Sequence, residues 1–325
     1  MELLRIVAML LIMYGHFNLR LKGYPLFDEV SQRPFYSVLK IMSGCVSTTG
    51  VGIFIAISGW FGIRLKLQGV GKFLFQVLFV LWSIYIVCIS LGIAEFNIAG
   101  IQQSLGFYEG YWFVAAYLGL YFASPVLNAF VDNASKQDFQ LFLIGYILFQ
   151  CYFSWLTAWY DYYGGYSVLM FCGIYLTAAY FRKYPVEWLQ KNSGKILLAT
   201  ILLMTTIATL SFWKVGHAAR QIRDDNPLVI FSCIMFLLCF NKFHFHSRFI
   251  NWLAASCFAV YLIHFSPFVY PYLVNVIRTA VNPVNGILYV GLMLVLLLLI
   301  YFACVLFDQI RILFWKIILI HLKKL

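Results

Sequence analysis

The chain has 325 residues, of which 63% are hydrophobic, 19% aromatic and 11% charged, with a net charge of +11. A soluble domain carries roughly 25% charged residues, and the mean hydropathy of +0.86 excludes that class. The positive charge does not point to nucleic acid, because the basic residues lie between apolar runs and form no basic, aromatic-studded face.

Apolar runs long enough to cross a bilayer recur along the whole chain and predict an all-α polytopic transmembrane helical bundle. About ten spans are expected, at 3–19, 38–62, 72–94, 111–130, 139–158, 165–181, 196–213, 227–240, 250–273 and 284–306. The first, "LLRIVAMLLIMYGHF", carries Arg5 and His16. Eleven residues of α-helix make about three turns, so the two side chains share one face, about 16 Å apart along the axis. One reading makes Arg5 an anchor at the cytoplasmic mouth and His16 an interfacial residue. The other turns both toward a pathway, because an ionisable group inside a span costs several kcal/mol and usually faces a cavity.

The second span ends "GVGIFIAISGWFGIRLK". Gly50, Gly52, Ala56, Ser58 and Gly59 permit close helix approach. Arg64 and Lys66 then emerge, either as anchors or, if the first two spans pack together, as part of a cationic pocket with Arg5 for an anionic cofactor. Glu95, Glu109 and Asp161 read as solvated loop carboxylates, although Glu109 beside "YWF" is placed to line an acceptor mouth. His244 and His246 have a spacing open to metal binding but no third ligand nearby, so no metal site is expected. The eight cysteines sit in apolar surroundings without a CxxC pair and read as free thiols.

The linkers are brief and no internal repeat is evident, which predicts a single transmembrane domain over 1–307. Residues 308–325 alternate basic and apolar positions and are expected as a basic amphipathic cytoplasmic tail along the membrane surface. With ten spans and the N-terminus inside, fourteen of the 23 Lys and Arg fall on the inner side and eight on the outer, which predicts that both termini are cytoplasmic.

Four stretches, in order, resemble the acyltransferase-3 family of integral membrane acyltransferases: "ELLRIVAMLLIMYGHF", "FIAISGWFGIR", "YWFVAAYLGLYFASPVL" and "SCFAVYLIHF". The resemblance covers nearly the whole chain and implies about ten transmembrane helices with cytoplasmic termini, in the cell membrane. It implies transfer of an acyl group, commonly acetyl from acetyl-CoA, to a carbohydrate or lipid-linked glycan. It carries over Arg5 and His16 as the essential pair and Arg64 as a cytoplasmic-side functional residue, and it aligns Tyr261 and His264 with the late motif. Trp112 falls in the family's Trp-aromatic span and is grouped with Glu109, Tyr261 and His264 as a candidate acceptor contact. One departure is the short lead: four residues precede Arg5, fewer than in other members, which raises an upstream start and an incomplete first turn of span one.

The chemistry of these residue types agrees with that implication. Arginine and lysine suit the phosphates of CoA, which assigns Arg5, Arg64 and Lys66 to the donor. A histidine deeper on the Arg5 face is suited to take the proton of an acceptor hydroxyl. Direct attack and a covalent acyl-histidine relay both remain open, and neither needs a metal. A transporter or flippase of lipid-linked saccharides is the rival class, although the paired, Gly/Pro-broken half-repeats of many transporters are not evident. A polysaccharide polymerase is expected to have a large outer loop, whereas no linker here exceeds about twenty residues.

Overall fold

The computed structural model describes the chain apart from residues 22, 26, 107–108, 158–164, 217–221, 285 and 323–325 and the side chains of 109, 215, 287, 321 and 322. Among the described residues every regular element is helical. Seven helical segments are long and apolar enough to cross a membrane: Glu2–Leu21, Pro34–Phe61, Leu67–Ser90, Trp112–Asn133, Lys136–Leu156, Glu187–Lys214 and Leu288–Ile320. The other three predicted segments are helical too, but shorter or broken. They are Val168–Lys183, Pro227–Phe240 and the run Arg248–Ala254, Cys257–His264 and Tyr270–Val281.

Contacts divide the chain into two compact units, Met1–Arg64 with Ala115–His246, and Leu65–Val114 with Ser247–Leu325. In unit 1 the elements are α1 (Glu2–Leu21), α2 (Phe27–Gln32), α3 (Pro34–Ser47) and α4 (Thr49–Phe61). Helix α5 (Leu67–Ser90) and α6 (Ile98–Ser104) follow in unit 2, and α7 (Trp112–Asn133) returns the chain to unit 1. There it continues through α8 (Lys136–Gln150), a π-helical turn (Cys151–Leu156), α9 (Val168–Lys183), α10 (Glu187–Val215) and α11 (Pro227–Phe240). Unit 2 is completed by α12 (Arg248–Ala254), α13 (Cys257–His264), α14 (Tyr270–Val281) and α15 (Gly286–Leu322).

Helix α4 is the centre of unit 1, packed against α1, α9 and α11. Its glycines make that possible. A Cβ on Gly59 would lie 2.2 Å from the Tyr175 carbonyl of α9, one on Gly50 2.9 Å from the Ala8 carbonyl of α1, and one on Gly52 2.5 Å from Cys233 Sγ of α11. The three glycines singled out in the sequence are therefore contact points between helices. Helix α4 stops at Gly62, whose φ of +79° is open to glycine at no steric cost.

Helix α7 carries Pro125 in its interior without a break in the helix. Proline has no N–H for the carbonyl four residues back. The hydroxyl of Ser124 donates to that same Tyr121 carbonyl at 2.7 Å, replacing the missing bond.

In unit 2, α13 packs against α5 and α15. Residues 308–322, read from the sequence as a tail, continue α15 without interruption. Arg311 and Asp308 form an i,i+3 ion pair there with side-chain exposures of 3% and 0%, and Trp315 and Phe314 contact Phe75 and Phe79 of α5. All eight cysteines are free thiols, five of them buried.

Candidate functional site

Arg5 and His16 lie on the uninterrupted helix α1, so the same-face geometry expected from their spacing holds. Both side chains are partly exposed. Arg5 Nη1 donates to Glu2 Oε2 at 3.0 Å, and the guanidinium also acts electrostatically on the Tyr117 hydroxyl of α7. That hydroxyl is 3.2 Å from Ser58 Oγ on α4.

One turn along α7, the Tyr121 hydroxyl donates to the Arg64 carbonyl at 3.2 Å. The segment leading to Arg64 is fixed from two other sides. The Tyr175 hydroxyl of α9 accepts the Ile63 N–H at 2.9 Å and donates to Asn128 Oδ1 at 2.6 Å. Asn128 Nδ2 in turn donates to the Ile63 carbonyl at 2.7 Å. The Arg64 side chain itself is exposed and, among the described residues, makes no hydrogen bond or ion pair.

These contacts set an order of depth within unit 1. Helices α1 and α4 run antiparallel: Gly15 faces Ser47 at the end of α3, Ala8 and Ile12 face Gly50, and Arg5 reaches the level of Ser58 and Tyr117. Arg64 follows Ser58 by six residues beyond the end of α4. Passing inward from that end, one meets Arg64, then Arg5, then His16 about 16 Å further along α1.

At the Arg64 end the termini of α4, α7 and α9 enclose a cavity of about 470 Å³, lined among others by Arg64, Gly62, Asn128, Asp132, Arg182 and Lys183. Arg182 Nη1 donates to the Trp60 carbonyl, and Lys183 Nζ to the Val131 and Asp132 carbonyls. By sequence, Arg182 and Lys183 are only two of the fourteen inner-side cations. Their role depends on three helix ends that meet only in the folded chain.

Lys66, Glu109, Trp112, Tyr261 and His264 lie in unit 2. Lys66 is an exposed residue preceding α5, so it does not belong to the unit that holds Arg64. Glu109 starts a 3₁₀ turn, Glu109–Tyr111, and its side chain lies outside the described residues. Trp112 opens α7 and stacks edge-on with Phe113. Tyr261 donates from its hydroxyl to the Gly110 carbonyl, and Tyr111 donates to the Leu262 carbonyl at 3.3 Å, so the 110–112 segment is tied to α13. His264 is fully buried, with Nδ1 2.7 Å from the Val260 carbonyl. A carbonyl only accepts, so Nδ1 carries a proton. Glu95, His244 and His246 are exposed, and Asp161 lies outside the described residues. Among the described residues no three His, Cys, Asp or Glu side chains converge.

The family model of the acyltransferase-3 group, described as an acyltransferase domain, matches residues 1–307. No curated protein and no solved structure matches the chain.

Proposed function

From the premise that this chain belongs to the acyltransferase-3 family and is a multi-pass membrane acyltransferase, we propose that it moves an acetyl group from acetyl-CoA to a hydroxyl of a cell-surface carbohydrate or its lipid-linked precursor. The enzyme sits in the cell membrane with both termini cytoplasmic. CoA enters from the Arg64 end, where cations suit its phosphates. Its pantetheine arm runs inward past Arg5 toward His16. The neutral imidazole of His16 takes the proton of the acceptor hydroxyl as its oxygen attacks the thioester carbonyl. The C–O bond forms, the C–S bond breaks, and the departing CoA thiolate recovers the proton from the imidazolium.

The observation that supports it is the depth order along unit 1: cations at one end, Arg5 inside them, and His16 beyond on the same face of one helix. Mass spectrometry of cell-surface glycans with and without the gene tests it. A glycan lighter by one acetyl group in the deletion is the expected result. Unchanged acetylation with lost glycan export would replace the acyltransfer reading with the flippase.

A further inference from the structure

The donor end of unit 1 holds more positive charge than its internal partners use. Arg64, Arg182 and Lys183 line one cavity, and Asp132 is the acid beside them. Among the described residues, Asp132 forms no ion pair within 4 Å with any of the three. The ends of α4 and α7 explain where two of the cations sit, because exposed carbonyls at helix C-termini attract positive charge. They do not explain Arg64, whose guanidinium has no partner among the described residues, nor the open volume the three surround. The backbone contacts of Arg182 and Lys183 hold their long side chains in place, so less conformational freedom is lost when an anion arrives. The volume of about 470 Å³ falls within the ordinary range of small-molecule sites. Gly62 on the wall adds no side chain, and the Asn128 amide is already committed to Ile63 and Tyr175, so what is left to meet a ligand is the guanidinium of Arg64, the uncommitted nitrogens of Arg182 and the charge of Lys183.

We infer that this cavity is a phosphate site in which Arg182 and Lys183, together with Arg64, hold the nucleotide end of CoA by its 3′-phosphate. The inference rests on the acyl-CoA reading above and adds to it two residues on α9. The chemistry required is an anionic phosphate, which the nucleotide carries as a dianionic monoester and the headgroup of an anionic lipid as a monoanionic diester. The nucleotide fits better, because Arg64, from whose end the donor enters in the reading above, lines this same cavity.

The test is titration calorimetry on full-length protein in phosphatidylcholine nanodiscs, with CoA and 3′-dephospho-CoA as ligands. Wild type should bind CoA more tightly than dephospho-CoA. Arg182→Gln and Lys183→Gln keep an amide donor for the backbone carbonyls and remove the charge. Each should weaken CoA by about tenfold, and together they should erase the preference for the 3′-phosphate. Arg182→Lys, which keeps the charge, should restore most of it and excludes loss of folding as the cause. Equal CoA affinity in wild type and the Gln variants, or a wild type indifferent to the 3′-phosphate, overturns the site. So does an effect of the Gln variants confined to nanodiscs containing phosphatidylglycerol, which assigns the cavity to lipid. A wild type that binds no CoA at all refutes instead the donor reading on which the inference rests.

Discussion

The two ends of unit 1 use cations in opposite ways. At the cavity end, among the described residues, Arg64 makes no ion pair and Asp132 pairs with none of the three basic groups beside it. At the other end of α8 and α9, Arg223 grips Asp225 with two nitrogens and also donates to the Ser154 carbonyl. Ser154 Oγ gives its own hydrogen bond to the fully buried Asp225. Even so, negative charge is crowded there: the Asp224 carboxyl is pushed up to about 7 by burial and by Asp225, with Arg223 offsetting part of the rise. Arg223 is thus consumed by internal carboxylates and closes the fold, whereas the Arg64 side chain has no such partner among the described residues.

The sharpest way to break this contrast is at the paired end. Asp225→Ala leaves Arg223 and the Ser154 hydroxyl without their acceptor, and removing one partner of a buried pair costs about 3 kcal/mol. Denaturant unfolding in detergent should record that loss while CoA affinity, measured on the folded fraction, stays unchanged. An equal fall in both would mean that the two ends are not independent.

A smaller effect is expected at the cavity end from Tyr175→Phe. The substitution orphans the Ile63 N–H and Asn128 Oδ1, a loss of about 1–3 kcal/mol. Unlike Asp225→Ala, it should weaken CoA binding as well as stability, because those bonds hold the segment that presents Arg64. Unfolding and calorimetry on the same preparation separate the two contributions, and unchanged CoA affinity would detach the network from the site.

The helices were legible because hydropathy and turn residues are local signals. Segment 227–240 coincides with α11, since Asn226 caps its first turn by accepting the Leu228 N–H and Pro227 sits at its start. The glycines of α4 were read correctly as packing sites for the same reason: a missing Cβ is visible in the sequence. Other features needed the folded chain. The 250–273 segment breaks into three helices held by neighbours far away in sequence, as when Gln309 of α15 accepts from Trp252. Arg64 and Lys66, two residues apart, lie on either side of the boundary between the two units, which no local signal marks. Arg182 and Lys183 carry no local mark, and Ser154 meets Asp225 across 71 residues. The shared face of Arg5 and His16 was legible because one helix and one period place them.

The central claim is that His16 acts as the base, and His16→Gln tests it most directly. Glutamine keeps a polar tip of similar reach and removes the basic imidazole. Turnover of acetyl-CoA with the purified acceptor should fall by roughly 10²–10⁴-fold while CoA affinity and thermal stability match wild type. Near-normal turnover by a well-folded His16→Gln protein would contradict the claim and leave His16 an interfacial residue.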